Sequence, residues 1–168
     1  YKGLLVFHGV GVGKTCTSIT IAEGFKEYLD EKKKKVYVLL KPSIRENFRR
    51  SIINLNKTNM GDDEQCTGDN YFDEMGKSFV GAKLKKSEDL KKLEKKANKI
   101  INKYYDFYGY GEFVSIYKQI ENSIKDKDSK DRKYILQKKL KEKFSDSVII
   151  IDEAHNITPR DKSYSETG

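Results

Sequence analysis

Residues 4–15 read LLVFHGVGVGKT, an apolar run that leads directly into a glycine-rich loop. Four consecutive apolar residues, Leu4 to Phe7, are typical of a short strand that is buried on both faces. Glycines at positions 9, 11 and 13 let the loop reach positive φ angles, which residues with a Cβ rarely adopt. A helix is expected next, because apolar residues then recur at helical spacing, at Ile19, Ala22, Phe25 and Leu29. The stretch therefore predicts a strand, a tight loop and a helix in succession.

The end of this loop, Gly13-Lys14-Thr15, fits the P-loop pattern, although His8 stands where that pattern usually opens with glycine. Such a loop turns its backbone N–H groups inward at a helix N-terminus, where they can hold phosphate. Lys14 would reach the β- and γ-phosphates of ATP, and the Thr15 hydroxyl would hold Mg²⁺. The expected nucleotide contacts are Gly9, Gly11, Val12, Gly13, Lys14, Thr15 and Cys16. The alternative, a glycine-rich turn with a chance Gly-Lys-Thr, does not account for the flanking strand and helix.

Strand and helix patterns continue to alternate along the chain. Val36–Leu40 is a second apolar run, and Pro42-Ser43 predicts a cap before a helix with Ile44, Phe48, Ile52 and Leu55 on its apolar face. Further helices are expected near residues 90–101, 113–120 and 135–144, with a strand at residues 104–108. This order predicts an α/β fold, with a mostly parallel sheet and helices on both of its faces. Within that fold, residues 56–147 are expected to form a lysine-rich, largely helical insertion.

The clearest strand, Val148–Ile151, is β-branched throughout and ends at Asp152-Glu153-Ala154-His155. Open α/β sheets present ligand-binding residues at the carboxyl ends of their strands. Asp152 would therefore hold the magnesium shell, and Glu153 would orient and polarise the attacking water. Lys14 completes this expected catalytic set. Two surface carboxylates at a helix start are the alternative, which the P-loop in the same chain makes less attractive.

The composition of the 168-residue chain limits its class. It is 36% hydrophobic and 36% charged with a net charge of +8, and it contains no apolar run long enough to span a membrane. One soluble, intracellular domain without a membrane partner is expected. The excess of lysine is explained equally well by a nucleic-acid partner and by solvated helix faces. Cys16 and Cys66 lie far apart in sequence, which indicates two inert thiols rather than a disulfide or a zinc site.

Together the P-loop and the Asp-Glu-Ala-His box resemble the first motor domain of a superfamily 2 DEAH-box helicase or translocase. Residues 40–48 resemble motif Ia of SNF2-type translocases and of helicase-like proteins of large DNA viruses. Residues 7–19, 65–68, 108–110 and 148–156 are similar to the group that includes the poxvirus early-transcription ATPases. The resemblance implies a RecA-like ATP-binding domain over residues 1–168, with a divergent middle at residues 56–147. It also implies a large DNA virus as the source, and the virion or the host-cell cytoplasm as the location.

In that family motif Ia lies against the nucleic-acid backbone. The resemblance therefore implies phosphate contacts for Lys41, Ser43, Arg45 and Asn47, and coupling of the ATP site to a neighbouring motif for His155. An ordinary helix start with a solvated face is the alternative for the first set, and a solvated histidine for the second. The aromatic cluster at positions 104, 105, 107, 108 and 110 could stack bases, but core packing is the favoured interpretation.

Superfamily 2 motors close their ATP site with arginines from a second RecA-like domain. The chain is therefore expected to be a piece of a longer protein, weakly active alone, whose parent moves along DNA or RNA, including within a viral transcription complex. Two other functions stay open. One is an ATPase switch that acts on protein partners, and the other is a non-enzymatic subunit of a transcription assembly.

Overall fold

A computed structural model describes residues 3–7, 13–55, 66–68, 70–75, 87–125 and 128–157 of the chain. The helices along this part of the chain are α1 (Lys14–Glu23), α2 (Lys26–Lys32), α3 (Arg45–Ile52), α4 (Phe72–Met75), α5 (Ser87–Tyr104), α6 (Tyr110–Asn122) and α7 (Ser129–Phe144). The strands are β1 (Val36–Leu39), β2 (Tyr105–Tyr108) and β3 (Val148–Ile151), and short 3₁₀ turns cover Pro42–Ile44 and Ala154–Ile157. The α/β class is confirmed, as are the helices and strands expected after residue 35. The one helix expected to carry Ile19 to Leu29 is instead two, because the chain breaks at Gly24 and Phe25, and Phe25 is 49% exposed.

The three described strands form one parallel sheet in the order β2-β1-β3. Leu39 at the end of β1 is in register with Tyr108 of β2 and with Ile151 of β3. The carboxyl ends of the three strands therefore meet at one edge. Ligands of open parallel sheets bind at this edge.

Helices cover both faces of the sheet. Val36 and Val38 of β1 belong to a core cluster with residues of α1, α3 and α5. On the other face, Tyr37 packs against Phe144 of α7, with ring centroids 5.3 Å apart. The connection from β1 to β2 carries α3 and α5, and the one from β2 to β3 carries α6 and α7. The first connection moves from β1 to one side of the sheet, and the second moves from β2 back across to the other side. Because the two connections also cover opposite faces of the sheet, both crossovers have the same hand.

A polar cluster joins the end of α1 to β2. The phenols of Tyr71 and Tyr105 both donate hydrogen bonds to the Glu23 carboxylate, from Tyr71 at 2.8 Å. Burial is the main cause that raises the pKa of each of these tyrosines, so both phenols stay protonated. Tyr104 and Tyr105 are buried and Phe107 and Tyr108 are half-buried, so the favoured interpretation of core packing is confirmed for these four aromatic residues.

The predicted strand at Leu4–Phe7 is wrong. This segment forms no hydrogen-bonded strand, and Leu4, Leu5 and Phe7 are 73%, 81% and 91% exposed. An apolar run indicates only that a segment is hydrophobic, whereas a strand must also exchange backbone hydrogen bonds with a neighbouring strand. In this structure the segment lines an open cleft beside β3 and makes no such pairing.

The middle of the chain contributes to the core. β2 lies within residues 56–147, and all four of its residues pair with β1. The segment is lysine-rich and mostly helical where described, but it supplies a strand that a peripheral insertion would not. No helix in the described ranges has both the length and the apolar character that crossing a membrane requires.

Candidate functional site

The candidate site lies where the carboxyl ends of the three strands meet the start of α1. Lys41, Tyr110 and Glu153 each stand two residues beyond the register position shared by Leu39, Tyr108 and Ile151. A cleft of about 1040 Å³ runs along β3 to this edge, and its lining includes Lys14, Thr15 and residues 152–155. The structure therefore brings Lys14 and Thr15, from the end of the predicted P-loop, and the predicted acidic box to one cleft.

Gly13 begins α1 in a conformation that favours glycine. Its φ is +85°, in the left-handed region, and its carbonyl accepts hydrogen bonds from both the backbone N–H and the hydroxyl of Thr17. The first N–H groups of a helix have no partner within the helix. Lys14 and Thr15, both half-buried, stand at this positive end, which is suited to an anion.

Asp152 is held on both sides of its backbone. Its N–H donates to the Leu39 carbonyl at 2.9 Å, and its own carbonyl accepts a hydrogen bond from the Tyr110 hydroxyl. Burial raises the pKa of the Asp152 carboxyl and the Glu153 charge raises it further, whereas Lys14 and Lys41 lower it. The half-buried carboxylate is thus electrostatically coupled to lysines from two different segments.

Glu153 has a φ of +52°, in the left-handed region that residues with a Cβ rarely occupy. Its carboxylate lies 3.2 Å from His155 Nδ1, and the side chains of Glu153 and His155 are 44% and 71% exposed. Backbone strain of this kind concentrates at functional sites. The Glu153 and His155 side chains are thus exposed to solvent within the cleft, where a water molecule can approach them.

The segment from Lys41 to Asn47 leaves the sheet beside this site. Lys41, Ser43 and Asn47 are exposed, and Arg45 is half-buried with its guanidinium 2.8 Å from Glu112 Oε2. The predicted Ser43 cap is wrong, because Ile44 is the cap residue of α3 and no side chain caps it. A 3₁₀ turn with Pro42 at its start leads into the helix instead, since proline suits a first-turn position and its missing N–H costs nothing there.

Cys16 is not the inert thiol that was expected. It forms a disulfide with Cys66 across 50 residues of sequence, with the Cα atoms 4.9 Å apart. The pairing depends on a turn at residues 66–68 that docks on α3, where the Cys66 N–H donates to Ser51 and the Thr67 hydroxyl to Ile52. The 50-residue spacing of the two cysteines does not predict that this turn packs on α3. Because the Cys16 sulfur is bonded to Cys66, the predicted nucleotide contact of Cys16 is limited to its backbone N–H.

The remaining predicted contacts, Gly9, Gly11 and Val12, lie outside the described residues, as does His8. The places of Lys41 and Tyr110 beside Asp152 were missed, although both residues had been noted for other roles. Each stands two residues after a parallel strand, and that position was the signal that could have assigned both to the site of Asp152.

Comparison with known proteins gives this site a context. The homologues are viral proteins named as helicases. One protein of Acanthamoeba polyphaga mimivirus, named as a candidate ATP-dependent RNA helicase, is 31% identical over 99% of this chain and 23% of its own length. A second from the same virus, named likewise, is 32% identical over 94% of the chain and 14% of its own. A candidate helicase of Invertebrate iridescent virus 3 is 25% identical over 94% and 13%.

The chain thus spans less than a quarter of the length of each of these relatives. It matches no protein family profile and no solved structure. The similarity to viral helicases is in agreement with the helicase resemblance in general, and it does not distinguish the DEAH-box or SNF2-type subgroup.

Proposed function

We propose that this chain is the ATP-binding, RecA-like part of a nucleic-acid-dependent ATPase, a DEAH-box helicase or SNF2-type translocase that moves on DNA or RNA. The observation that carries the proposal is the meeting of Lys14 and Thr15 with Asp152 and Glu153 in one cleft at the carboxyl edge of a parallel sheet. The viral relatives named as ATP-dependent helicases support ATP as the nucleotide. They also support a viral setting, and a role in viral transcription is the narrower form of the proposal.

The residues of the cleft fit ATP with Mg²⁺. Oxygen donors suit Mg²⁺, and the Thr15 hydroxyl and the Asp152 carboxylate line the same cleft. Burial and the Glu153 charge both disfavour the ionised form of Asp152, and a bound cation would compensate for this. When bound, Mg²⁺ neutralises charge on the transferred phosphoryl group.

Each protein residue then has one task. Lys14 and the first N–H groups of α1 would bind the phosphates, and Thr15 and Asp152 would orient the metal shell. Glu153 would hold and polarise the attacking water, with its carboxylate oriented by His155 at 3.2 Å. Through this contact His155 is the proposed coupling residue.

The proposed nucleic-acid contacts are Lys41, Ser43, Arg45 and Asn47. Three of the four are exposed, and Lys41 and Arg45 add positive charge at the start of α3. Phosphate contacts of this kind fix the position of a protein on its polymer without reading sequence. A second RecA-like domain of the same protein is the proposed partner that completes the ATP site.

Replacing Lys14 with alanine is expected to weaken Mg²⁺-dependent ATP binding by about 10- to 100-fold, the loss typical of one charge-assisted hydrogen bond. Binding of a fluorescent ATP analogue to the full-length protein measures it. Lys32→Ala, at an exposed lysine on α2, is the matched control and should bind like the wild type. Equal affinity for the ATP analogue in the Lys14→Ala and wild-type proteins would show that the nucleotide does not bind at this site.

A further inference from the structure

The first turn of α6, residues 109–112, touches both halves of the proposed machinery. Tyr110 donates its hydroxyl hydrogen to the Asp152 carbonyl, across 42 residues of sequence. Two residues later, Glu112 Oε2 accepts a hydrogen bond from the Arg45 guanidinium at 2.8 Å. One turn of helix thus contacts the ATP site through Tyr110 and the proposed phosphate-binding segment through Glu112.

The 109–112 turn is a tight unit. Glu112 Oε2 also accepts the Gly109 N–H at 2.6 Å and so caps the helix that it belongs to. Gly109 is buried, and a Cβ added to it would stand 3.6 Å from Pro42 Cγ, at the start of the 41–47 segment. A displacement of Glu112 is therefore transmitted to Tyr110, because both belong to the same hydrogen-bonded turn.

The bond between Arg45 and Glu112 can be displaced by a competing anion. The Arg45 and Glu112 side chains are 33% and 56% exposed, and surface ion pairs of this type contribute little stability. Arg45 Nε is buried without a hydrogen-bond partner among the described residues, so Glu112 does not satisfy the whole guanidinium. A phosphate accepts charge-assisted hydrogen bonds from arginine as a carboxylate does. Nucleic-acid phosphate is thus a competitor of Glu112 for the Arg45 guanidinium.

We propose that the 109–112 turn couples nucleic-acid binding to ATP hydrolysis, with Glu112 as an internal competitor for Arg45 and Tyr110 as the positioning residue for Asp152. This inference rests on the proposed function and adds residues to it. Phosphate bound at Arg45 releases Glu112, the turn shifts, and the Tyr110 hydroxyl carries the shift to the backbone that holds the Asp152 carboxylate. The backbone of Asp152 is otherwise fixed on its N–H side by Leu39, so its carbonyl side is where the position can be adjusted.

Two conservative variants of the full-length protein test this coupling, because each removes one contact and keeps the fold of the turn. Tyr110→Phe keeps the ring and loses the hydroxyl. It should bind a short oligouridylate as the wild type does, with the KM for ATP unchanged and the stimulated kcat lowered about tenfold, the effect of one hydrogen bond. Glu112→Gln keeps an oxygen that can cap Gly109 and loses the charge that competes for Arg45. It should bind the oligouridylate more tightly, by up to about fivefold.

Tyr117→Phe, at an exposed tyrosine of the same helix, is the matched control and should match the wild type in every measurement. A wild-type protein that hydrolyses ATP on stimulation, together with Tyr110→Phe and Glu112→Gln variants that behave like it, overturns the coupling and leaves the proposed function intact. A wild-type protein that hydrolyses no ATP with either RNA or DNA overturns the proposed function, and the coupling with it. A rise in KM together with a fall in kcat in Tyr110→Phe, with a lowered melting temperature, would mean a structural role only and also overturns the coupling.

Discussion

Replacing Glu153 with glutamine should lower kcat for ATP hydrolysis by at least about 100-fold, the lower end of the contribution expected from a general base. Glutamine keeps the shape of the side chain but cannot polarise the attacking water through a negative charge. ATP binding should stay within about threefold of the wild type, because phosphate contacts are assigned to Lys14 and the start of α1. Steady-state hydrolysis and equilibrium ATP binding by the full-length protein measure the two quantities separately.

Glu142→Gln, which removes an exposed carboxylate on α7, is the control for a change of charge alone and should keep full activity. A Glu153→Gln protein that hydrolyses ATP at the wild-type rate would contradict the role assigned to Glu153. A variant that loses ATP binding as well would indicate that the strained turn at residue 153 had collapsed. In that case the residue would be structural.

Cys66→Ser should lower the free energy of unfolding by about 4 kcal/mol, the loop-closure value for a cross-link over about 50 residues. Without the disulfide, the turn at residues 66–68 loses its covalent link to α1 and keeps its hydrogen bonds to the end of α3. Denaturation with guanidinium chloride, in the presence and absence of dithiothreitol, measures the difference. Thiol labelling of the unreduced protein, located by peptide mapping, should find no free thiol at Cys16 or Cys66.

The reductant supplies its own control, because dithiothreitol should destabilise the wild type and leave Cys66→Ser unchanged. Labelling of Cys16 and Cys66 in the protein purified without reductant would show that they are unpaired, the inert thiols that their spacing suggests. Equal stability of wild type and Cys66→Ser under oxidising conditions would show that the bond contributes nothing to folding.

The elements that the sequence predicted well are those with strong periodicity. Val148–Ile151 is β-branched throughout, and α5 repeats apolar residues at helical spacing, so both were located from local pattern alone. Leu4–Phe7 has an equally apolar pattern and is not a strand here. The two segments differ in their hydrogen-bond partners, because Val148–Ile151 pairs with β1 and Leu4–Phe7 pairs with none of the described strands. Such partners are distant in sequence and cannot be predicted from a run of four residues.

The site was partly predictable for a topological reason. In a parallel sheet, segments that follow different strands meet at one edge, so Asp152 after β3 and Lys41 after β1 had to lie near each other. The contacts that depend on side chains from distant helices were not predictable. The bond between Arg45 and Glu112 spans 67 residues and depends on how the starts of α3 and α6 meet at the carboxyl edge of the sheet. No pattern within either segment reports that packing.

ATP hydrolysis by this protein is expected to depend on a nucleic-acid partner. The ATPase rate of the full-length protein, with and without single-stranded and double-stranded DNA and RNA, tests this dependence beside Glu153→Gln. We expect at least one polymer to stimulate the rate, with no stimulation in Glu153→Gln, and the stimulating polymer is then the one along which the protein moves. A rate that is the same with every polymer and without one would overturn the proposed function and favour an ATPase switch that acts on protein partners.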